Sequence, residues 1–266
     1  MKICVVGGTG NISSSIVKVL KKQNHEVVCF NRGASNKLLD GVRLIKGDRL
    51  NYKDFEKKMN EEKFDAAIDM LCFNSQDAHS SIRAFKNVKH FIMASTVVTY
   101  GNKFNSFPIN ENHPVRPVDG FAHNKAEADA VFMEAYEKDG FPVTILKPIT
   151  IYGPLGGLLR QVASVDFSWI DRVRKGKPLV VCGDGNAIHQ FLYSEDAALG
   201  FVGVLNKKHC IGQNYILSGK GFTTWIDYHN IAMHVIGRKV ELIGVPLANL
   251  EKMKVSSFEL LKKYFS

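Results

Sequence analysis

The chain lacks the patterns that mark disulfide-rich proteins and metal sites. Its five cysteines are odd in number, far apart, and include no Cys-x-x-Cys pair. A disulfide framework and a structural zinc site are therefore not predicted. The nine histidines contain no His-Glu-x-x-His pattern, which excludes the common zinc-protease motif. We predict that the protein holds no metal ion.

Long apolar runs are also absent. No stretch approaches the roughly 20 apolar residues that a helix needs to cross a bilayer. The apolar run after Met1 is too short for a secretory signal, and it stops at Gly7 and Gly8. These absences predict a cytoplasmic protein without a membrane partner.

Basic residues exceed acidic ones in the 266-residue chain. Lys and Arg number 35 against 26 Asp and Glu, which gives a formal net charge of +9. Such a balance favours anionic ligands such as nucleotides, sugar phosphates or nucleic acid, and surface lysines scattered at random would also produce it. The length suits one large domain with a small additional lobe.

Short apolar runs alternate with helix-length polar segments through the first half of the chain. The runs are Lys2–Val6, Glu26–Phe30, Val42–Ile45, Phe64–Leu71, His90–Ala94 and Pro142–Leu146. Strand and helix at this rhythm predict parallel βαβ units, and hence an α/β, Rossmann-type doubly wound parallel sheet. Runs that are nearly all apolar suit strands covered on both faces.

The second half of the chain has a different character. Val181–Gly185 is predicted to be a turn, Ser194 to open a helix, and Asn214–Ser218 to form a further strand. Thr224-x-x-Asp227 is predicted to start a helix that stops at Gly237. We predict a core domain over 1–153 and a small C-terminal lobe over 154–266, interleaved with the last core strands.

A glycine-rich turn joins the first apolar run to the first predicted helix, with the spacing Gly7-x-x-Gly10-x-x-Ser13. Glycines there allow backbone N–H groups to approach a pyrophosphate at the positive end of the helix. The last position is normally Gly or Ala, and Ser is small enough to be tolerated. We predict that a dinucleotide is bound by Gly7, Thr9, Gly10, Asn11 and Ile12, and the core domain is then an NAD(P)-binding domain.

The second apolar run ends at Asn31 and Arg32, where an acidic residue would hold the adenosine ribose of NAD. Asn31 carries no charge that would repel a 2′-phosphate, and Arg32 can grip one. This favours NADP, while NAD stays open and Arg32 could equally be a solvated turn residue. Asp48 could place a carboxylate at the adenine edge or belong to a plain turn.

Several motifs together resemble one known family. They are Gly7-Gly8-Thr9-Gly10, Gly47-Asp48, the segment 94–101, Lys147-Pro148-Ile149 with Tyr152-Gly153-Pro154, and Gly183-Asp184-Gly185. With them the chain resembles the extended branch of the short-chain dehydrogenase/reductase superfamily, the NAD-dependent epimerases and dehydratases. The resemblance implies a nicotinamide cofactor near Pro148 and Ile149 and a small or sugar-like carbonyl or hydroxyl substrate. It also implies a homodimer through the helices holding Gln76–Phe85 and Asn124–Lys138.

The same resemblance implies a catalytic hydroxyl, a Tyr and a Lys four residues after the Tyr. Thr96 and Lys125 fall at the hydroxyl and Lys positions, but the Tyr position is occupied by Phe121. A phenyl ring cannot transfer a proton, and no tyrosine in the chain has a Lys four residues further on. Loss of one such group typically removes about 10²–10⁴ in rate.

Three interpretations follow from the missing phenol. His123, or Tyr100 or Tyr152 from neighbouring loops, could supply the proton. Alternatively, the protein binds the dinucleotide without turnover, or it resembles the plastid stem-loop RNA-binding members of the family, which share the segment 44–49 and also lack the Tyr. RNA is not favoured, because the basic residues form no cluster interleaved with aromatics.

One substrate-side residue also departs from the family pattern. Members that act on nucleotide sugars carry an Arg shortly after the Gly-Asp-Gly segment, where it grips the diphosphate. His189 stands at that position here. A nucleotide-diphosphate-sugar substrate is therefore less expected than a smaller molecule.

Overall fold

The computed structural model describes residues 1–34, 38–154 and 168–252. The helices are α1 (Asn11–Lys22), α2 (Tyr52–Asn60), α3 (Ser75–Ala84), α4 (Gly120–Asp139), α5 (Ser168–Arg174), α6 (Ser194–Gly203), α7 (Trp225–Ile236) and α8 (Leu247–Lys252). The first seven strands are β1 (Lys2–Val6), β2 (Glu26–Asn31), β3 (Arg43–Lys46), β4 (Ala66–Asp69), β5 (His90–Ala94), β6 (Val143–Pro148) and β7 (Thr150–Tyr152). The others are β8 (Leu179–Cys182), β9 (Ile188–His189), β10 (Phe191–Tyr193), β11 (Gln213–Leu217), β12 (Thr223–Thr224) and β13 (Leu242–Val245).

Seven parallel strands form one sheet in the order β11-β6-β5-β4-β1-β2-β3. The chain moves outward from β1 in one direction through β2 and β3, and in the other through β4, β5 and β6. The strand order therefore reverses beside β1, and ligands of such sheets bind at this switch point, beyond the carboxyl ends of the strands. The predicted Rossmann-type parallel sheet is confirmed.

The two faces of the sheet are covered by different helices. Helices α1 and α6 pack together on one face, where Ile16, Leu20 and Phe201 are fully buried. Helices α2, α3 and α4 cover the other face over a chain of aromatic rings that includes Phe55 and Phe91. Strands β4 and β5 are buried along their whole length, which explains why only Asp69 and His90 interrupt their apolar sequences.

The chain divides into two compact units. The first consists of Met1–Gly156 and Leu192–Ser218, and it contains the seven-stranded sheet. The second consists of Gly157–Phe191 and Gly219–Ser266. Its described part contains the parallel pair β8–β13 and the antiparallel pair β9–β12 around a small core with Trp169. The domain boundary at residue 153 stays a prediction.

Of three predicted boundaries, two need correction and one is confirmed. Val181, placed in a turn from sequence, lies in β8 because β13 pairs with it, and the turn follows at 183–185. Ser194 opens α6 as predicted, and its hydroxyl lies 3.4 Å from that of Ser15. Helix α4 begins at Gly120, four residues earlier than predicted, because Asp119 accepts the Ala122 N–H.

The helix predicted from Thr224 to Gly237 is confirmed at both ends. The Thr224 hydroxyl accepts the Asp227 N–H at 3.1 Å, as a capping residue does. Gly237 ends the helix with φ 77°, a left-handed conformation that glycine adopts without steric cost.

Candidate active site

The glycine-rich turn lies between the end of β1 and the start of α1, at the switch point of the sheet. Gly7 has φ +87°, and a Cβ on Gly8 would lie 2.3 Å from the Cys29 sulfur of β2. The turn can therefore pass close to the sheet only because it has no side chains at these positions. Helix α1 starts at Asn11 and directs its first N–H groups, which have no intrahelical partners, out of the turn.

Ser13 has a definite role at the position where the family pattern has Gly or Ala. Its buried hydroxyl accepts the N–H of Gly10 at 2.8 Å. This bond holds the turn in place without using the N–H groups that follow it. The sequence indicated that Ser would be tolerated there, and the structure shows that it also stabilises the turn.

Two amide atoms beside the turn are buried without partners. The Asn31 oxygen accepts the Gly8 N–H at 3.0 Å, but the Asn31 Nδ2 has no acceptor. The Asn11 Oδ1 has no donor, and Gly153 approaches it so closely that a Cβ there would lie 2.7 Å away. Because unpaired buried polar atoms are uncommon, these two atoms fit a polar ligand at the turn. The residues present therefore fit a bound dinucleotide.

The other predicted cofactor residues occupy the same unit. Arg32 is exposed at the end of β2, and Asp48 is exposed after β3, where its carboxylate accepts the Leu50 N–H at 3.0 Å. The Asp48 carboxylate therefore closes its own turn. Pro148 is buried at the end of β6, and Ile149 is bound to β11 through its N–H, at 3.1 Å from the Leu217 carbonyl.

Lys125 lies on the buried face of α4, and its ammonium reaches the ends of two strands. Its Nζ donates to the carbonyls of Cys72 at 2.6 Å and Ala94 at 2.7 Å, while the ring of Phe73 lies 4.7 Å away. An ammonium has three donors, so one N–H remains for a ligand. Burial lowers the pKa of Lys125, although nearby acidic groups such as Asp129 oppose this shift. Its proton is therefore easier to release than that of an exposed lysine.

The predicted catalytic residues are only partly brought together. Phe121 is one helical turn before Lys125 and 49% exposed, so its ring faces outward where the family has a phenol. Thr96 follows β5, and its hydroxyl accepts the Val98 N–H at 3.4 Å. His123 is exposed and lies about 200° around α4 from both Phe121 and Lys125. The geometry therefore favours Thr96 and Lys125 over His123 as the residues of one site.

Tyr100 is held as a structural donor and is a poor replacement for the missing phenol. It is 1% exposed, and its hydroxyl donates to the Asn214 side chain at 3.3 Å. Burial, helped by the charges of Glu111 and Asp129, raises the pKa of Tyr100 to about 12. A phenol that holds its proton so firmly is poorly suited to acid–base work near neutral pH. The other tyrosine that could replace the phenol, Tyr152, is 42% exposed, and this role stays a prediction.

A buried ion pair connects α4 to β6. The Lys147 ammonium contacts the Asp129 carboxylate, and it also donates to the Thr99 hydroxyl at 2.9 Å. The Ser95 hydroxyl donates to the same carboxylate at 2.8 Å. Burial raises the pKa of Asp129, and Lys147 and Ser95 oppose that shift. Lys147 and the segment 94–101 stand among the sequence motifs, but nothing in the sequence pairs Lys147 with Asp129.

In the second unit, His189 belongs to an aromatic cluster. It is 9% exposed, stacks on Trp225 with ring centroids 5.0 Å apart, and meets Phe191 edge-on at 4.4 Å. A residue packed in this way contributes to the core of the unit. This placement agrees with the view that His189 does not replace the diphosphate-binding Arg.

The described residues contain neither a metal-binding cluster nor a membrane-spanning helix. Within 1–34, 38–154 and 168–252, no three His, Cys, Asp or Glu side chains are grouped as ligands for a metal ion. In the same ranges, none of the helices has both the length and the apolar character that crossing a membrane requires.

A parallel sheet with a glycine turn at its switch point defines a dinucleotide-binding Rossmann protein. The chain belongs to the NAD dependent epimerase/dehydratase family, whose model matches residues 3–217. This is the family that the sequence motifs indicated.

Individual relatives are distant. The chain is 26% identical to 2'-dehydrokanamycin reductase of Streptomyces kanamyceticus, over 92% of this chain and 70% of that protein. It is also 26% identical to the chloroplast stem-loop binding protein of 41 kDa b of Arabidopsis thaliana, over 84% of this chain and 60% of that protein. A UDP-glucuronic acid 4-epimerase from Bacillus cereus, solved with NAD, superposes with a TM-score of 0.77 at 22% identity, covering 92% of this chain and 87% of that one. That structure supports the fold.

Proposed function

We propose that the protein binds NADP(H) and transfers hydride between the nicotinamide and a carbonyl or hydroxyl group of a small, sugar-like molecule. The observation that carries the proposal is the pair of unpartnered amide atoms, Asn11 Oδ1 and Asn31 Nδ2, beside a glycine turn at the switch point. Membership of the family supports it, because that family is nicotinamide-dependent. The Streptomyces relative, a reductase by name, supports the carbonyl substrate.

The preference for NADP rests on the end of β2. Asn31 places a neutral amide where an NAD-specific protein has a carboxylate, and Arg32 follows it in an exposed position. A carboxylate there would repel a 2′-phosphate, whereas an amide and a guanidinium attract it. The acidic Asp48 is engaged by the Leu50 N–H.

Lys125 and Thr96 handle the proton in this proposal. A bound nicotinamide ring would supply or accept the hydride. The third N–H of the Lys125 ammonium donates to the oxygen that gains charge in the reduction, and the Thr96 hydroxyl orients the same oxygen. In the family, the Tyr that aligns with Phe121 supplies the proton. Because burial lowers the pKa of Lys125, its Nζ can release that proton instead.

We also propose a cytoplasmic location and a substrate without a nucleotide diphosphate. All five cysteines are free thiols, which suits the reducing cytoplasm. The packed His189 favours a substrate that lacks a nucleotide diphosphate.

Isothermal titration with NADPH and NADH tests the binding step. We expect heat of association with both, and tighter binding of NADPH. If neither NADPH nor NADH gives heat of association at millimolar concentration, the proposed dinucleotide binding is wrong.

The change Phe121→Tyr tests the catalytic step. It adds a hydroxyl to a half-exposed ring one turn before Lys125, so the fold should tolerate it. We expect slow oxidation of NADPH with a member of a panel of carbonyl compounds, and a rate higher by about 10²-fold or more in the variant. If neither protein oxidises NADPH with any compound despite binding it, the chain is a dinucleotide-binding protein without turnover.

RNA binding is the second candidate function, and two observations favour it. One relative is a chloroplast stem-loop binding protein by name. In the second unit, Arg172, Arg174, Lys177, Arg238 and Lys239 are exposed, and the Arg238 guanidinium donates to the Arg174 carbonyl at 2.7 Å. Titration with a stem-loop RNA at several salt concentrations decides this. Binding that falls steeply with salt supports it, and no binding at low salt removes it.

A further inference from the structure

A buried acidic residue connects the segment that carries Thr96 to helix α4. The hydroxyl of Ser95, the residue before Thr96, donates to the Asp129 carboxylate at 2.8 Å, and both residues are more than nine-tenths buried. Asp129 lies four residues after Lys125, so the two side chains share one face of α4. Asp129 therefore links the two residues to which the proposed function assigns the proton.

Lys147 on β6 makes a second connection between the same elements. Its ammonium contacts the Asp129 carboxylate and donates to the Thr99 hydroxyl at 2.9 Å. That hydroxyl donates in turn to the Thr96 carbonyl at 3.0 Å. Well-packed apolar residues often stabilise a core as well as a buried ion pair does, so stability alone is a weak explanation for this pair.

Four titratable groups act on the Lys125 ammonium from the elements around it: Cys72, Asp69, Asp77 and Asp129. Burial raises the pKa of the Cys72 thiol, so this group carries no charge near neutral pH. The Asp69 carboxylate at the end of β4 lies 3.5 Å from the Arg49 guanidinium, which offsets its charge. Of the three carboxylates, Asp129 has the largest effect on the pKa of Lys125, ahead of Asp69 and Asp77.

A buried lysine donates a proton only if it still holds one at the working pH. Burial lowers the pKa of Lys125, and the Asp129 carboxylate opposes that shift because it attracts the ammonium. The Lys147 ammonium and the Ser95 hydroxyl favour the charged form of Asp129, although burial raises the pKa of this carboxyl. Burial and Asp129 therefore act on Lys125 in opposite directions.

We propose that Asp129 is a positioning residue for Lys125: held by Lys147 and Ser95, its carboxylate keeps the Lys125 ammonium protonated and in place beside the Thr96 segment. The inference rests on the proposed function, because it takes Lys125 as the proton donor. Asp129 acts through Lys125 and is not itself a catalytic residue. The buried ion pair then has a role in the site besides joining α4 to β6.

Titration of lysine Cε signals by NMR tests this without any cofactor, in protein labelled with ¹³C at the Cε of lysine. The signal of Lys125 is the one that disappears in Lys125→Met. We expect Asp129→Asn to lower the pH midpoint of this signal by about one unit or more, as loss of a neighbouring opposite charge does. That is about a tenfold loss of proton affinity. A purely structural role of Asp129 would leave the midpoint unchanged in the folded variant.

Two further variants control for charge and for shape. Glu127→Gln removes the same charge from an exposed position of α4, two residues after Lys125, and should leave the midpoint unchanged because solvent screens it. Asp129→Glu keeps the carboxylate, so its midpoint should lie closer to that of the unaltered protein than the midpoint of Asp129→Asn does.

A double variant keeps the test decisive if Asp129→Asn does not fold. Asp129→Asn leaves Lys147 buried without its partner, which is strongly destabilising. Asp129→Leu combined with Lys147→Met replaces the pair by apolar side chains, an exchange that cores often tolerate. Both charges are then absent, so a lower Lys125 midpoint in this variant comes from the loss of the carboxylate. Circular dichroism checks that each variant is folded.

The outcomes separate this inference from the proposed function. An unchanged Lys125 midpoint in the folded double variant refutes the role of Asp129. If the midpoint falls as expected but the unaltered protein oxidises NADPH with no carbonyl compound, Asp129 acts on Lys125 and the proposed function fails. If NADPH is oxidised, the alkaline limb of its pH profile should move with the Lys125 midpoint. A limb that stays in place would show that another group supplies the proton.

Discussion

Single residues in this protein differ in how far the sequence predicts them. Lys125 and Thr96 follow from family motifs, because their spacing is local. The pairing of Lys147 with Asp129 does not follow, because β6, α4 and the segment after β5 meet only in the folded sheet. His123 is a titratable residue near a motif that lies on the exposed face of its helix, and its catalytic role stays a prediction.

At the residue scale, the histidine with the largest described pKa shift is His229 on α7. It is 0% exposed, and both its ring nitrogens lack hydrogen-bond partners. Its ring meets Trp169 edge-on at 5.2 Å and Tyr228 at 5.1 Å. Burial lowers the pKa of His229 to about 4, so the folded protein holds this imidazole neutral.

The lowered pKa predicts a pH-dependent stability. Above about pH 6.5 the imidazole of His229 is neutral in both the folded and the unfolded protein, and its contribution to the free energy of unfolding is highest. Between about pH 6.5 and pH 4 the unfolded chain binds a proton that the folded chain does not, so this free energy falls by up to about 3 kcal/mol. Below pH 4 both states bind it and the loss levels off.

His229→Leu tests this prediction. It should flatten the dependence on pH, because an apolar group of similar size replaces an unpaired polar one. Urea unfolding followed by tryptophan fluorescence is suited to it, since the chain has only two tryptophans, Trp169 and Trp225, and both lie in the second unit. His234→Gln, at an exposed position of the same helix, is the control and should keep the unaltered slope. An unchanged slope in His229→Leu would show that another group titrates.

At the scale of elements, the two glycines of the turn have separable roles. Gly8→Ala would place a methyl group 2.3 Å from the Cys29 sulfur, and overpacking of this kind costs about 1–3 kcal/mol. Gly10→Ala meets only the Ser13 hydroxyl, at 3.2 Å, and its backbone is extended, so folding should be almost unaffected. In the proposed function, a pyrophosphate would approach the open side of Gly10.

We therefore expect Gly8→Ala to lower the thermal midpoint, and Cys29→Ala to restore most of the loss in the double variant. Gly10→Ala should keep the midpoint and weaken NADPH binding at least tenfold. Thermal unfolding and calorimetry on the same preparations check both statements. Normal NADPH affinity in Gly10→Ala would place the phosphates elsewhere.

The sheet strands were predictable, while the short strands were not. Strands β1, β2, β5 and β6 are buried on both faces, so their sequences are apolar enough to stand out. Strands β9 and β12 have two residues each, and they exist because they pair with each other across a long stretch of sequence. No local period can indicate such a strand.

At the scale of the whole molecule, α3 and α4 decide the oligomeric state that the resemblance implies. Apart from Gly120, Phe121 and Ala130, their exposed positions are polar or charged, with His79 and Arg83 on α3 and Glu127 and Glu134 on α4. Among the described residues of these two helices, Phe121 is the only large apolar side chain that is strongly exposed. Stable homodimers bury an apolar interface core, which these faces lack.

We therefore expect a monomer of 29.7 kDa in sedimentation velocity at about 0.15 M salt. Charge attraction between copies should also be weak, because the Arg83 guanidinium of α3 already contacts the Glu56 carboxylate of the same chain at 2.7 Å. Lowering the salt to about 0.05 M should therefore leave the sedimentation coefficient unchanged. A dimer that persists in about 1 M salt would contradict this prediction and point to an apolar interface elsewhere on the chain.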